Sequence, residues 1–148
     1  MFVQITVFIE NKPGRLTEVT GCLAAGEINI HALSVADTAD FGILRMIVSN
    51  PVKAERTLKD NGYMVKTTNV IAVALGNSPG SLYKVLAKIS ALGISIEYMY
   101  AFMSKAEQYE AVVIMRLENQ EDSADKLKEH GITVLGREFL DQLNTALL

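Results

Sequence analysis

The sequence contains one cysteine, Cys22. It can form no internal disulfide and no Cys-rich zinc site. The two histidines, His31 and His130, have no Cys or His partner nearby, so no metal-ligand spacing arises. Basic clusters are missing as well. Fourteen Lys and Arg stand against 17 Asp and Glu, for a net charge of −3, and the Lys/Arg stripes and stacked aromatics of a nucleic-acid binder are absent. The longest apolar run, residues 70–75, is far short of the roughly 20 residues that span a membrane. The opening "MFVQITVFIE" alternates like a strand and lacks the basic n-region and apolar core of a signal peptide. No P-loop, dinucleotide fingerprint or nucleophile elbow occurs. These absences predict a cytoplasmic protein with no nucleic-acid or membrane partner, no cofactor, no metal and no catalytic constellation.

What remains is a core and a repeat. Hydrophobic residues make up 49% and charged residues 21%, enough to bury a core and avoid disorder. The turn "NKPGRL" at 11–16 returns as "NSPGSL" at 77–82, a spacing of 77 − 11 = 66 in a chain of 148 residues. Each copy follows a strand-like run, residues 2–9 or 70–75, with Val3, Ile5, Val7 and Ile9 expected on one face. Each precedes a helical pattern: Leu16, Val19, Thr20 and Leu23, then Leu82, Val85, Leu86 and Ile89. Gly26 and Gly93 are expected as left-handed caps.

Second strands are predicted at 28–33 and 94–99 and third strands at 43–48 and 111–117, joined by hairpins at 37–42 and 105–108. Asn50-Pro51 opens a short helix ending before Gly62. Its counterpart covers about 122–130, where His130 would meet the helix dipole. Fourth strands are expected at 63–67 and 132–135. Each half is then βαββαβ, the ferredoxin-like order, with domains at 1–69 and 70–148. Phe139, Leu140, Leu143 and Leu147 mark an added C-terminal helix. The class is α+β, with two antiparallel sheets expected side by side and their helices on one face. Tyr98, Tyr100, Phe102 and Tyr109 fit either an aromatic pocket wall or cross-strand packing.

The repeated turn is the candidate site. Asn can bond its own backbone, Pro sets direction and Gly permits close approach. The helix start then offers unpaired N–H groups and partial positive charge to a small carboxylate. A ligand-free tight turn would explain the same residues.

"NKPGRL…GEINIHALSV" and "NSPGSL…LGISIEYMYA" resemble the ACT domain, a small βαββαβ regulatory module of amino-acid metabolism, over nearly the whole chain. The resemblance implies that a free amino acid binds where two domains pair, between a Pro-Gly turn and a second strand. The implied turn residues are Asn11, Pro13, Gly14, Arg15 and Leu16, with Asn77, Pro79, Gly80, Ser81 and Leu82. The second-strand residues are Asn29, Ile30 and His31, with Ser95, Ile96, Glu97 and Tyr98. Both copies carry Asn where the family more often has Asp. Because Arg15 can reach a bound carboxylate, the first turn is expected to be the tighter of the two. The implied protein is not an enzyme. It is a regulator that reports an amino acid to an enzyme or regulator in trans, as a monomer or a homodimer. The rival readings are a ligand-free dimerisation module and a small enzyme of acylphosphatase type, for which Arg15 speaks and Ser81 does not.

A domain of about 70 residues buries only about 60% of its chain surface and is marginal alone. Expressed separately, residues 1–69 are therefore expected not to form a stable monomer. Sharp, dispersed amide resonances from that fragment would contradict this.

Overall fold

In the computed structural model, which describes residues 1–38, 40–104 and 109–145, the chain opens with β1 (Phe2–Glu10) and α1 (Arg15–Ala25). It continues through β2 (Ile30–Asp37), β3 (Phe41–Val48), α2 (Pro51–Asp60) and β4 (Met64–Leu75). Then come α3 (Ser81–Ala91), β5 (Ile96–Met103), β6 (Ala111–Leu117), α4 (Gln120–Glu129) and α5 (Arg137–Thr145). Two units result, Val3–Thr68, and Asn69–Leu148 with Met1–Phe2. The two strands expected at 63–67 and 70–75 are one strand, β4. Its residues up to Thr68 belong to the first unit and the rest to the second. "KTTNV" contains no Gly or Pro to break it.

In the first unit β1 and β2 flank β3 in antiparallel register, with Ile5 opposite Met46 and Leu33 also opposite Met46. Ile5, Val7 and Ile9 of β1 and Leu44, Met46 and Val48 of β3 form one face of the ladder. They meet Val19 and Leu23 of α1 and Ala54 and Leu58 of α2 in a single core. Both helices therefore cover the same face. The second unit repeats this, with β4 and β5 flanking β6. Its core joins Ile71, Val73, Val113, Met115, Ile89 and Leu127. The order in each unit is ferredoxin-like and the class α+β.

Local signals hold where one residue decides the geometry. The Asn50 side chain accepts from the Lys53 N–H at 3.0 Å, with Pro51 first in α2. Gly93 is left-handed, φ +69°. Gly26 is not: its φ is −82°, and the left-handed residue after α1 is Glu27 at φ +54°. Val3, expected on one face with Ile5, Val7 and Ile9, is exposed where those three are buried, and Gln4 is buried, its amide donating to Thr6 Oγ1 at 3.1 Å. A strand shielded on both faces loses the simple alternation that marks a half-exposed one. Both second strands begin two residues later than expected, at Ile30 and Ile96.

The fourth strand expected at 132–135 is reduced to an isolated bridge, Val134 opposite Val73, flanked by two backbone bonds. α4 starts at Gln120, ahead of the expected 122. On α5, Phe139 stacks on Phe2 and meets Tyr109 edge-on. The expected hairpin 105–108, Leu147 and Ala39 within the hairpin 37–42 lie outside the described residues.

The leading residue of each helical stripe is at the surface. Leu16 and Leu82 are 44% and 37% exposed, while Leu23 is fully buried. Leu23→Ala should destabilise the protein by about 2–5 kcal/mol and Leu16→Ala by less than about 1 kcal/mol. Urea denaturation checks both, and equal losses would contradict the assigned faces.

Candidate functional site

Both Pro-Gly turns adopt the same backbone. Gly14 has φ 86° and ψ −9°, and Gly80 has φ 88° and ψ −7°. These are the angles of the third residue of a type II turn, which Pro commonly precedes. The closing bonds run from Arg15 N–H to the Lys12 carbonyl, 3.4 Å, and from Ser81 N–H to the Ser78 carbonyl, 3.1 Å. Each helix starts on the next residue, and neither start receives a side-chain cap. The Asn residues are engaged elsewhere. Asn11 Nδ2 donates to Asp37 Oδ1 at 3.1 Å, and the Asn77 backbone N–H donates to Glu110 Oε2 at 2.8 Å.

Around the first turn lies a chain of charges. Lys12 pairs with Glu10 at 2.8 Å, and Arg15 reaches Glu18 at 3.0 Å and Glu10 at 3.6 Å. Tyr63 Oη donates to the same Glu18 carboxylate at 3.2 Å. Lys12 first, then Arg15, holds the Glu10 carboxyl below the ordinary range. Glu18, then Glu10, raises the Arg15 guanidinium, and burial followed by the Glu18 bond raises the Tyr63 phenol. Arg15 thus faces two carboxylates from its own turn and helix start. A cavity of about 360 Å³ opens beside this chain, walled by Phe8, Ile9, Glu10, Arg15, Glu18, Phe41, Asn61, Gly62, Tyr63 and Met64.

The second turn has no such chain. Sixty-six residues beyond Glu10, Lys12, Arg15 and Glu18 stand Gly76, Ser78, Ser81 and Lys84, which cannot rebuild it. Ser78 Oγ and Ser81 Oγ lie 2.8 Å apart instead. Pro13, Leu16, Pro79 and Leu82 are exposed on their turns.

The second-strand residues sit at the other end of each ladder. Within the first unit, Glu10 at the turn pairs with Phe41, whereas Ile30 pairs with Val48 at the far end of β3. In the second unit Leu75 pairs with Ala111 and Ile96 with Leu117. No single unit therefore brings its own turn together with its own 29–31 or 95–98. Both second strands share a feature that the sequence did not reveal. The register slips between Ile30 and Ala32 and again between Ile96 and Tyr98. His31 and Glu97 are the extra residues of two matching β-bulges, devices common beside functional sites. Asn29 N–H donates to Ser49 Oγ at 3.0 Å, its side chain lies 3.4 Å from His31 Nδ1, and the Ser95 carbonyl accepts from Glu118 N–H. Glu97 lies 3.5 Å from Arg116 Nε. Tyr98, Tyr100 and Phe102 are half-buried along β5, opposite Arg116, Ile114 and Val112.

Among the described residues, no group of three or more His, Cys, Asp or Glu is placed to hold a metal, and no helix is long and apolar enough to cross a membrane. The family model for an ACT domain pair matches residues 1–143. The chain belongs to the ACT family, as a tandem pair.

Among solved structures, this ACT pair is similar to protein BT0572 from Bacteroides thetaiotaomicron, with 47% identity, 94% of each chain covered and a TM-score of 0.85. It shares its fold with the ligand-free regulatory subunit of aspartate kinase from Thermus thermophilus, at 18% identity, 86% and 91% coverage and a TM-score of 0.61. A search of curated protein sequences returned no match.

A Cβ built on Gly14 or Gly80 meets nothing within 4 Å, so both glycines are required by their positive φ rather than by crowding. Gly14→Ala and Gly80→Ala should each destabilise by about 1–2 kcal/mol. Gly21, in α1, also has open space but no positive φ, and Gly21→Ala should stabilise by about 0.5–1 kcal/mol. Urea denaturation of the three variants tests the contrast, and losses of similar size at all three would refute it.

Proposed function

We propose that this ACT pair is a regulatory protein that binds a free amino acid and acts on a separate enzyme or regulator of amino-acid metabolism, without catalysing a reaction itself. The observation that carries the reading is the repeated type II Pro-Gly turn opening a helix with no side-chain cap. Such a start presents backbone N–H groups and the positive end of the helix dipole to a carboxylate. The residues assigned to binding are the turns 11–16 and 77–82 and the bulged strand starts 29–31 and 95–98. Because no unit joins its own turn to its own second strand, a site using both must draw them from different domains, as the ACT resemblance implies. A homodimer is one way to supply them. The fold shared with a protein described as the regulatory subunit of aspartate kinase supports a regulatory role with a partner in trans.

The competing reading, a ligand-free dimerisation module, is favoured by one observation: both cations of the first turn are already paired, Lys12 with Glu10 and Arg15 with Glu10 and Glu18. A thermal-shift screen of the twenty amino acids separates the two. Binding at 100 times the dissociation constant adds about 2.7 kcal/mol. At least one amino acid should therefore raise the melting temperature, and its carboxamide should do so much less. Equal shifts from acid and amide would mean that no carboxylate is held at the helix start, and no shift from any of the twenty would favour the ligand-free module.

A further inference from the structure

We infer that Asp37 and Glu110 read the ammonium group of the bound amino acid, supplying at the two turns the negative charge that Asn11 and Asn77 lack; this rests on the amino-acid reading above. In each unit one carboxylate reaches the turn's Asn, from Asn11 Nδ2 to Asp37 Oδ1 at 3.1 Å and from the Asn77 N–H to Glu110 Oε2 at 2.8 Å. Neither carboxylate is a copy of the other. Asp37 is the last residue of β2, opposite Gly42, whereas Glu110 directly precedes β6. Aligning the second strands on Ile30 and Ile96, Asp37 corresponds to Met103. Aligning the third strands on Val48 and Leu117, Glu110 corresponds to Phe41. Two non-equivalent chain positions thus bring the same group to the same turn.

The first turn's Asn follows from this arrangement. An Asp at position 11 would set its carboxylate against that of Asp37, and like charges in contact oppose each other, whereas at the second turn Glu110 accepts from the Asn77 backbone N–H. Asp37 and Glu110 are both exposed. Each uses one oxygen on the turn, and a carboxylate has acceptor capacity left for an ammonium donor. The other carboxylates of the first turn are committed, Glu10 to Lys12 and Glu18 to Arg15 and Tyr63. The second turn has Gly76, Ser78, Ser81 and Lys84 at those places, and among the described residues Glu110 brings a carboxylate against it. A zwitterion meets complementary groups at both ends: the uncapped helix start for its carboxylate and the hairpin carboxylate for its ammonium. The class of ligand is therefore an α-amino acid in preference to the 2-hydroxy acid with the same side chain.

Asp37→Asn and Glu110→Gln remove the charge and leave an acceptor oxygen, so a contact that merely pins the hairpin to the turn survives both. The probes are the L-amino acid that most raises the melting temperature among the twenty and its 2-hydroxy acid counterpart, titrated by calorimetry into the wild-type chain and the D37N/E110Q double variant. The wild-type chain should prefer the amino acid. The double variant should bind it about tenfold more weakly and bind the hydroxy acid within about twofold of wild type. Unchanged preference in the variant, or an equal loss for both compounds, overturns the inference while leaving the amino-acid reading standing. A wild-type chain that binds neither compound overturns both.

Discussion

A glycine held at φ near +87° is an arrangement that side chains with a Cβ adopt only at a cost, and in this protein it occurs at Gly14 and Gly80, directly before the first helix of each unit. From that residue much else follows. Pro sets the direction of entry and Gly reverses it. The next residue is then helical, and the buried stripe begins one turn later, at Val19 in α1 and, as a partly buried residue, at Val85 in α3. The same geometry leaves the helix start without a side-chain cap, because the capping position is occupied by a residue that has no side chain. The exposed N–H groups are thus a consequence of how the turn is made.

The two copies agree in backbone and differ in charge. The turn angles agree within 2°, comparing 86° with 88° and −9° with −7°, and both second strands carry a bulge at the same place. The side chains around the turns share almost nothing: Glu10, Arg15 and Glu18 in one, Gly76, Ser81 and Lys84 in the other. Exposed ion pairs contribute only about 0–1 kcal/mol, so they can be exchanged without unfolding the domain. A strained φ or a core residue such as Leu23 cannot. The carboxylate at the turn's Asn is the exception, present in both copies although the chain supplies it from the end of β2 in one and from just before β6 in the other.

Elements governed by neighbouring residues were legible in advance. Pro-Gly placed the turns, Asn50-Pro51 placed the start of α2, and apolar periodicity placed the helices and third strands. Prediction failed where the deciding partner is distant in the chain. Alternation grouped Val3 on one face with Ile5, Val7 and Ile9, but β1 is buried on both faces over much of its length, and Gln4 is fully buried while Val3 is exposed. Glu27 takes the left-handed position that the adjacent Gly26 was expected to fill, and no local propensity favours a charged residue there.

The candidate site divides along the same line. The repeated motif and the apolar periodicity by themselves marked the two turns and the two βαββαβ halves of an α+β protein, because each depends on residue type and short spacing, and the resemblance of those turns to the ACT domain pointed to the family. Only the tertiary structure decided that His31 and Glu97 are bulge residues and that Asp37 and Glu110 stand against the turns. Those facts depend on how the strands pair, which brings together residues 26 and 33 positions apart. A ladder slipped by one residue would send a strand side chain such as that of Asp37 to the opposite face.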